Sequence, residues 1–124
     1  MIGIDIVKIS RIEKMLEKFG DKALKKFLCE DEIKLVSFPK TAAGFWALKE
    51  ATSKALQTGI GKECGFKDIK IYKNEKNAPY IALKQSIIDK FEINEASVSI
   101  THDGDYAIAV VVLTTTKTLE VKGF

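Results

Sequence analysis

Cysteine, histidine and proline are scarce in this chain. Its 124 residues include two cysteines, one histidine and two prolines. Cys29 and Cys64 cannot make a four-ligand zinc site, and no Cys-x-x-Cys is present. In a reducing compartment they are expected to be free thiols. Long apolar runs are also missing: the longest, Ala107 to Leu113, is far below the roughly 20 residues that span a bilayer. The opening Met-Ile-Gly-Ile-Asp5 has no basic stretch and carries an acid, so a signal peptide is not expected and a cytoplasmic location is the default. The absence of a Walker-type loop and of Gly-x-Gly-x-x-Gly sets aside the ordinary nucleotide-binding folds. No single sign of charge dominates, since 20 basic against 17 acidic residues leave a net charge of +3. Lysines of the first third are interleaved with Glu13, Glu17 and Asp21, as on a solvated helix. Aromatic residues are not interleaved with them, so a nucleic-acid stacking platform is not expected.

What is present describes a globular domain. Apolar residues make up 46% and charged residues 30%, and this length forms one domain, residues 1–124, that buries roughly two-thirds of its unfolded surface. Ile2 to Ile6 reads as a short strand. Ser10-Arg-Ile-Glu13 reads as a capping box opening a helix, with Ile12, Met15, Leu16 and Phe19 inward and Gly20 as its stop. Asp21 caps a second helix with Leu24 and Phe27, and Glu30 to Val36 looks like a third. Pro39 interrupts, and a long helix follows from about Thr41. Beyond Gly61 the period changes to two. Phe66 to Tyr72 and Tyr80 to Leu83 are strands around a turn at Asn74 to Pro79, and Lys84 to Phe91 is a short helix. Val98 to Thr101 and Tyr106 to Leu113 flank the turn Asp103-Gly104, the second strand buried on both faces. The fold class is α+β, helices early and a mostly antiparallel sheet late.

The most informative stretch is Trp46-Ala-Leu-Lys-Glu-Ala-Thr-Ser-Lys-Ala-Leu-Gln-Thr-Gly-Ile-Gly61. At 100° per residue Phe45, Leu48, Thr52, Ala55 and Leu56 form a core stripe, and Glu50 and Lys54, spaced i, i+4, point away from it. Such a pair is either an exposed ion pair or a metal ligand beside a phosphate-neutralising ammonium. Asp5 stands where a buried strand meets a loop and either caps a turn or carries chemistry. His102, the only histidine, lies at the mouth of a hairpin and is either structural or catalytic. Two distant carboxylates without a histidine or cysteine cluster favour a hard cation with oxygen ligands, Mg²⁺ first.

Taken together, Gly3-Ile-Asp5-Ile-Val-Lys-Ile-Ser-Arg11-Ile-Glu13, the Trp46 to Gly61 stretch, and Val98-Ser-Ile-Thr-His102 with Tyr106-Ala closely resemble the holo-[acyl-carrier-protein] synthase family of short 4'-phosphopantetheinyl transferases. The resemblance runs essentially end to end. It implies that family's fold around one long central helix, and Mg²⁺-dependent transfer of 4'-phosphopantetheine from coenzyme A to a serine of apo-acyl carrier protein, serving fatty acid biosynthesis. It further implies Asp5 and Glu50 as magnesium ligands, and Asp5, Glu50 and Lys54 as the catalytic group. Ser53, Lys54, Thr58, Pro79 and His102 would line the coenzyme A groove, and Arg11 would contact the carrier protein. A homotrimer with sites between neighbours is implied too, the Tyr106 to Leu113 strand supplying its core. The chain departs from the pattern at Phe45-Trp46, where many relatives have Arg-Phe, at Gln57, where glycine is usual, and at Asn77-Ala78-Pro79, where Gly-Lys-Pro is typical. The lost arginine and lysine leave weaker or re-routed phosphate contacts as the expectation. The alternative is a non-catalytic carrier-protein-binding module of the same fold.

Overall fold

Alternation decides the first element. In the computed structural model, which describes all of residues 1–124, β1 (Ile2–Lys8) turns Gly3, Asp5 and Val7 towards a helix and exposes Ile2, Ile4 and Ile6. It is followed by α1 (Ile9–Phe19), α2 (Asp21–Phe27), α3 (Glu30–Ile33) and the long α4 (Pro39–Ala55). A 3₁₀ turn (Phe66–Asp68) leads into β2 (Ile69–Lys73) and β3 (Pro79–Leu83), then α5 (Gln85–Phe91), β4 (Ile93–Asp103) and β5 (Tyr106–Thr115). An antiparallel sheet in the order β1-β5-β4 packs its inner face on α4, and β2-β3 form a separate hairpin. The α+β reading holds.

The core lies between that sheet and α4. Ala107, Ala109, Val111 and Leu113 of β5 are fully buried against Phe45, Leu48, Ala51 and Leu56. A leucine buried to this degree contributes about 1.5–3 kcal/mol. At Gly3 strand and helix meet main chain to main chain. A Cβ there would overlap the Ala51 carbonyl oxygen and lie 2.6 Å from the Ala55 nitrogen. This close approach brings Asp5 to the C-terminal half of α4.

Several local expectations are corrected. The N-terminus of α1 is not capped by Ser10, which lies inside the helix. The Asp105 carboxylate reaches over from the β4–β5 turn, accepting from the Ser10 backbone N–H at 3.0 Å and the Ser10 hydroxyl at 2.8 Å. Phe19 is exposed rather than inward. The third helix stops at Ile33, and the chain tightens into i→i+3 turns through Leu35 and Val36. Pro39 does not interrupt α4 but begins it, at the one helical position where a missing N–H costs nothing. Phe66–Asp68 is a 3₁₀ turn rather than strand, pinned by the Gly65 N–H donating to the Asp68 carboxylate at 2.8 Å. Finally, β5 is buried on one face only in the single chain, because Val112 on the other face is 41% exposed beside the bare isoleucines of β1.

Candidate active site

Two carboxylates and two cations meet where β1 crosses α4. Asp5 is opposite Ala109 in the sheet register and therefore faces the helix. Its carboxylate accepts from Lys54 Nζ at 2.8 Å, with the aspartate side chain only 14% exposed. Helical spacing pairs Lys54 with Glu50, but the ion pair forms with Asp5, since the β1–α4 contact sets the shorter distance. Glu50 makes no ion pair. Its carboxyl is held above the usual glutamate range, first by burial and then by the negative charge of Asp5, against the pull of Lys54 and Arg11. Arg11 stacks its guanidinium 5.2 Å from the centre of the Trp46 ring, a contact that fixes the guanidinium of α1 beside α4.

Asp5 is paired with Lys54 and Glu50 has no ion-pair partner, so the two carboxylates offer oxygen donors of the kind a hard divalent cation takes. Mg²⁺ uses one or two protein carboxylates and fills its shell with water and phosphate oxygens. No group of three or more His, Cys, Asp or Glu side chains is arranged to hold a metal by itself. The residues present therefore fit a magnesium shared with a phosphate substrate rather than an all-protein cage.

Below the corner the chain leaves α4 through the loop that contains Thr58. Ser53 is fully buried and its hydroxyl donates back to the Glu50 carbonyl at 2.7 Å. The Ser53 carbonyl in turn accepts from the N–H groups of Thr58 and Gly59 at 3.1 and 3.3 Å. The loop is thus tied to the last turn of the helix. Gln57 takes a left-handed backbone, φ 64°.

Pro79 and His102 are elsewhere. They line a second hollow of about 180 Å³ together with Lys40, Thr41, Gly44 and Lys73. It shares no lining residue with the hollow at Asp5 and Lys54. The His102 Nε2–H donates to the Lys40 carbonyl at 2.9 Å. A Cβ on Gly44 would stand 3.1 Å from that nitrogen, so the glycine makes room for the imidazole.

One group beside the site escapes reading by spacing. Lys49, next to Glu50, is fully buried and donates to Glu32 at 2.9 Å and to the Phe27 and Phe66 carbonyls at 2.8 and 2.9 Å. Glu32 also accepts from the N–H groups of Cys29 and Ile71. Burial holds the Lys49 ammonium below its ordinary value even against the hydrogen bond to Glu32. The only trace in the sequence is an acid, Glu32, three residues after Cys29, too weak a cue for a partner 17 residues away. Cys29 and Cys64 are free thiols, as expected, and burial pushes the Cys64 thiol up to about 11.

The chain belongs to the 4'-phosphopantetheinyl transferase superfamily, whose family model matches residues 1–111. Holo-[acyl-carrier-protein] synthase of Sulfurimonas denitrificans is 60% identical over 116 residues, covering 94% of this chain and 96% of that one. The crystal structure of Helicobacter pylori holo-[acyl-carrier-protein] synthase in complex with coenzyme A superposes with a TM-score of 0.89 at 56% identity, covering 92% of this chain and 100% of that one. A Bacillus anthracis holo-(acyl-carrier-protein) synthase in complex with coenzyme A (3',5'-ADP) gives 0.78 at 36% identity, covering 93% of this chain and 96% of that one.

Proposed function

We propose that this protein transfers the 4'-phosphopantetheine group of coenzyme A to a serine of an apo-acyl carrier protein, supplying holo carrier for fatty acid biosynthesis in the cytoplasm. The observation that carries this reading is the corner where Asp5, Glu50 and Lys54 meet across β1 and α4. Asp5 and Glu50 would hold Mg²⁺, which when bound neutralises charge on the diphosphate oxygens. Lys54 is half-exposed on α4 and faces the same diphosphate as a point charge. The serine oxygen of the carrier forms a bond to the phosphorus bearing the pantetheine arm. The bond from that phosphorus to the bridging oxygen breaks, and adenosine 3',5'-bisphosphate leaves. A carboxylate of the pair, directly or through a water, takes the serine proton, and Lys54 steadies the departing phosphate. Arg11, fixed on Trp46 beside the corner, is the contact for an acidic carrier. Ser53 serves the coenzyme groove through its carbonyl and Thr58 through the loop it anchors, with Pro79 and His102 at the second hollow.

The test is intact mass of an apo-acyl carrier protein incubated with this protein and coenzyme A, with Mg²⁺ or with EDTA. The expected outcome is a gain of one phosphopantetheine that EDTA abolishes. Asp5→Ala and Glu50→Ala should each lower the rate at least about a hundredfold while leaving a folded protein. Carrier binding without mass gain would instead favour a non-catalytic module.

A further inference from the structure

The segment after β5 stands off the rest of the chain. Beyond the Lys117 N–H, which donates to the Thr115 hydroxyl at 3.1 Å, no residue of it is hydrogen-bonded, and Leu119 and Val121 are 59% and 98% exposed. The family match stops at residue 111, upstream of this segment. Its pattern is nevertheless that of a strand, with Leu119 and Val121 on one side and Thr118, Glu120 and Lys122 on the other. We propose that residues 117–122 form a strap, which closes in extended form over the apolar groove between β3 and β4 of its own chain.

The groove is the first support. It measures about 270 Å³ and is lined by Ile81 and Leu83 of β3, Ile88 of α5, and Ile93 and Ala96 of β4. There β3 and β4, outer strands of two separate sheets, come together without pairing. An unpaired strand edge beside an apolar slot is where an extended segment adds by main-chain hydrogen bonds, alternate side chains entering the slot. The root of the strap is the second support. Thr115 is the register partner of Ile93, itself in the groove wall. Its hydroxyl donates to the Phe91 carbonyl at 2.7 Å, and the Thr116 N–H donates to the Glu92 carbonyl at 3.1 Å. The strap is thus moored at one end of its own groove. Reach agrees. A seat on the far edge of β4 lies two strand spacings from β5, about 10 Å, and the four residues from Thr115 to Leu119 span up to about 13 Å. Charge agrees as well, since Glu95 lines the groove while Lys117 and Lys122 flank the apolar pair. Closure ties the β2–β3 hairpin to the main sheet. Burial of two aliphatic side chains is set against the ordering of a free backbone, effects of similar size, so the strap opens and closes.

The test is amide hydrogen exchange of the full chain, with and without Leu119→Asp and Val121→Asp together, which charge the strap and leave every packed residue in place. Residues 118–122 should exchange about tenfold more slowly than an unstructured peptide of the same sequence. The double variant should abolish that protection and speed exchange at residues 81–83 and 94–96, leaving β1 unchanged. Exchange of the strap at the free-peptide rate in the unaltered protein overturns the proposal. So does protection that the double variant removes with no change at β3 and β4, which would seat the segment elsewhere. Leu119→Cys with Ala96→Cys, oxidised and run denatured without reductant, shows whose groove is filled. A link within one chain is expected; linked pairs of chains, or no link, overturn the assignment. None of these readouts uses the transfer reaction, so a failure of the strap and a failure of the transferase reading are told apart.

Discussion

Gln57 holds a backbone angle that a β-carbon resists. A left-handed residue other than glycine costs about 1–2 kcal/mol, and at φ 64° Gln57 bears that cost just beyond α4. Part of it returns on substitution through the looser unfolded chain, so Gln57→Gly should stabilise the protein by about 0.5–1 kcal/mol in urea unfolding. Glu50 is strained in another way. Its folded carboxyl binds a proton more tightly than the free value of 4.5. A group raised on folding contributes stability below its unfolded value, and that contribution disappears as pH climbs through the folded one. Above about pH 4.5 the ionised glutamate is therefore a burden on the fold. Glu50→Gln, in EDTA, should raise Tm at pH 7 but not at pH 4, while transfer activity is lost. Equal Tm at both values would mean the carboxylate is not destabilising.

At the scale of elements, the buried Lys49–Glu32 pair ties α4 to α3 and β2. Its ends are met by four main-chain groups, so the pair has no vacant valence to exploit. Lys49→Met leaves Glu32 charged and enclosed, and should cost about 3–5 kcal/mol, read as a lower urea midpoint. The same elements mark how far the sequence could be read. The stripe Phe45, Leu48, Thr52, Ala55 and Leu56 is legible because helical period alone decides it, and all five are buried. Asp5, Glu50 and Lys54 are legible as a set from their resemblance to a family, and their pairing is not. Which cation meets which carboxylate depends on β1 lying on α4, a long-range contact with no local pattern. Asp105 capping α1 from 95 positions away is lost for the same reason. The start of α4 at Pro39 is hard to read because proline signals a break everywhere except in the first turn of a helix.

The whole molecule shows one feature that a lone chain does not explain. Ile2, Ile4 and Ile6 are 70%, 61% and 57% exposed on the outer face of β1, with Val112 beside them. Contiguous apolar faces of this kind are what contact surfaces present. No helix of the protein is long and apolar enough to cross a membrane. We propose that the face is covered by further copies in a homotrimer. Ile4→Lys should yield a monomer by light scattering and reduce transfer at least about tenfold. An unchanged mass in solution would refute the assembly.

At Gly3 only main chain separates strand from helix, and this close approach sets how the acids of the two elements face each other. The distance from Asp5 to Glu50 is gauged by peptide units, not by the bulk of any side chain. A side chain at position 3 would push β1 off α4 and part the two carboxylates, whatever fills the rest of the core.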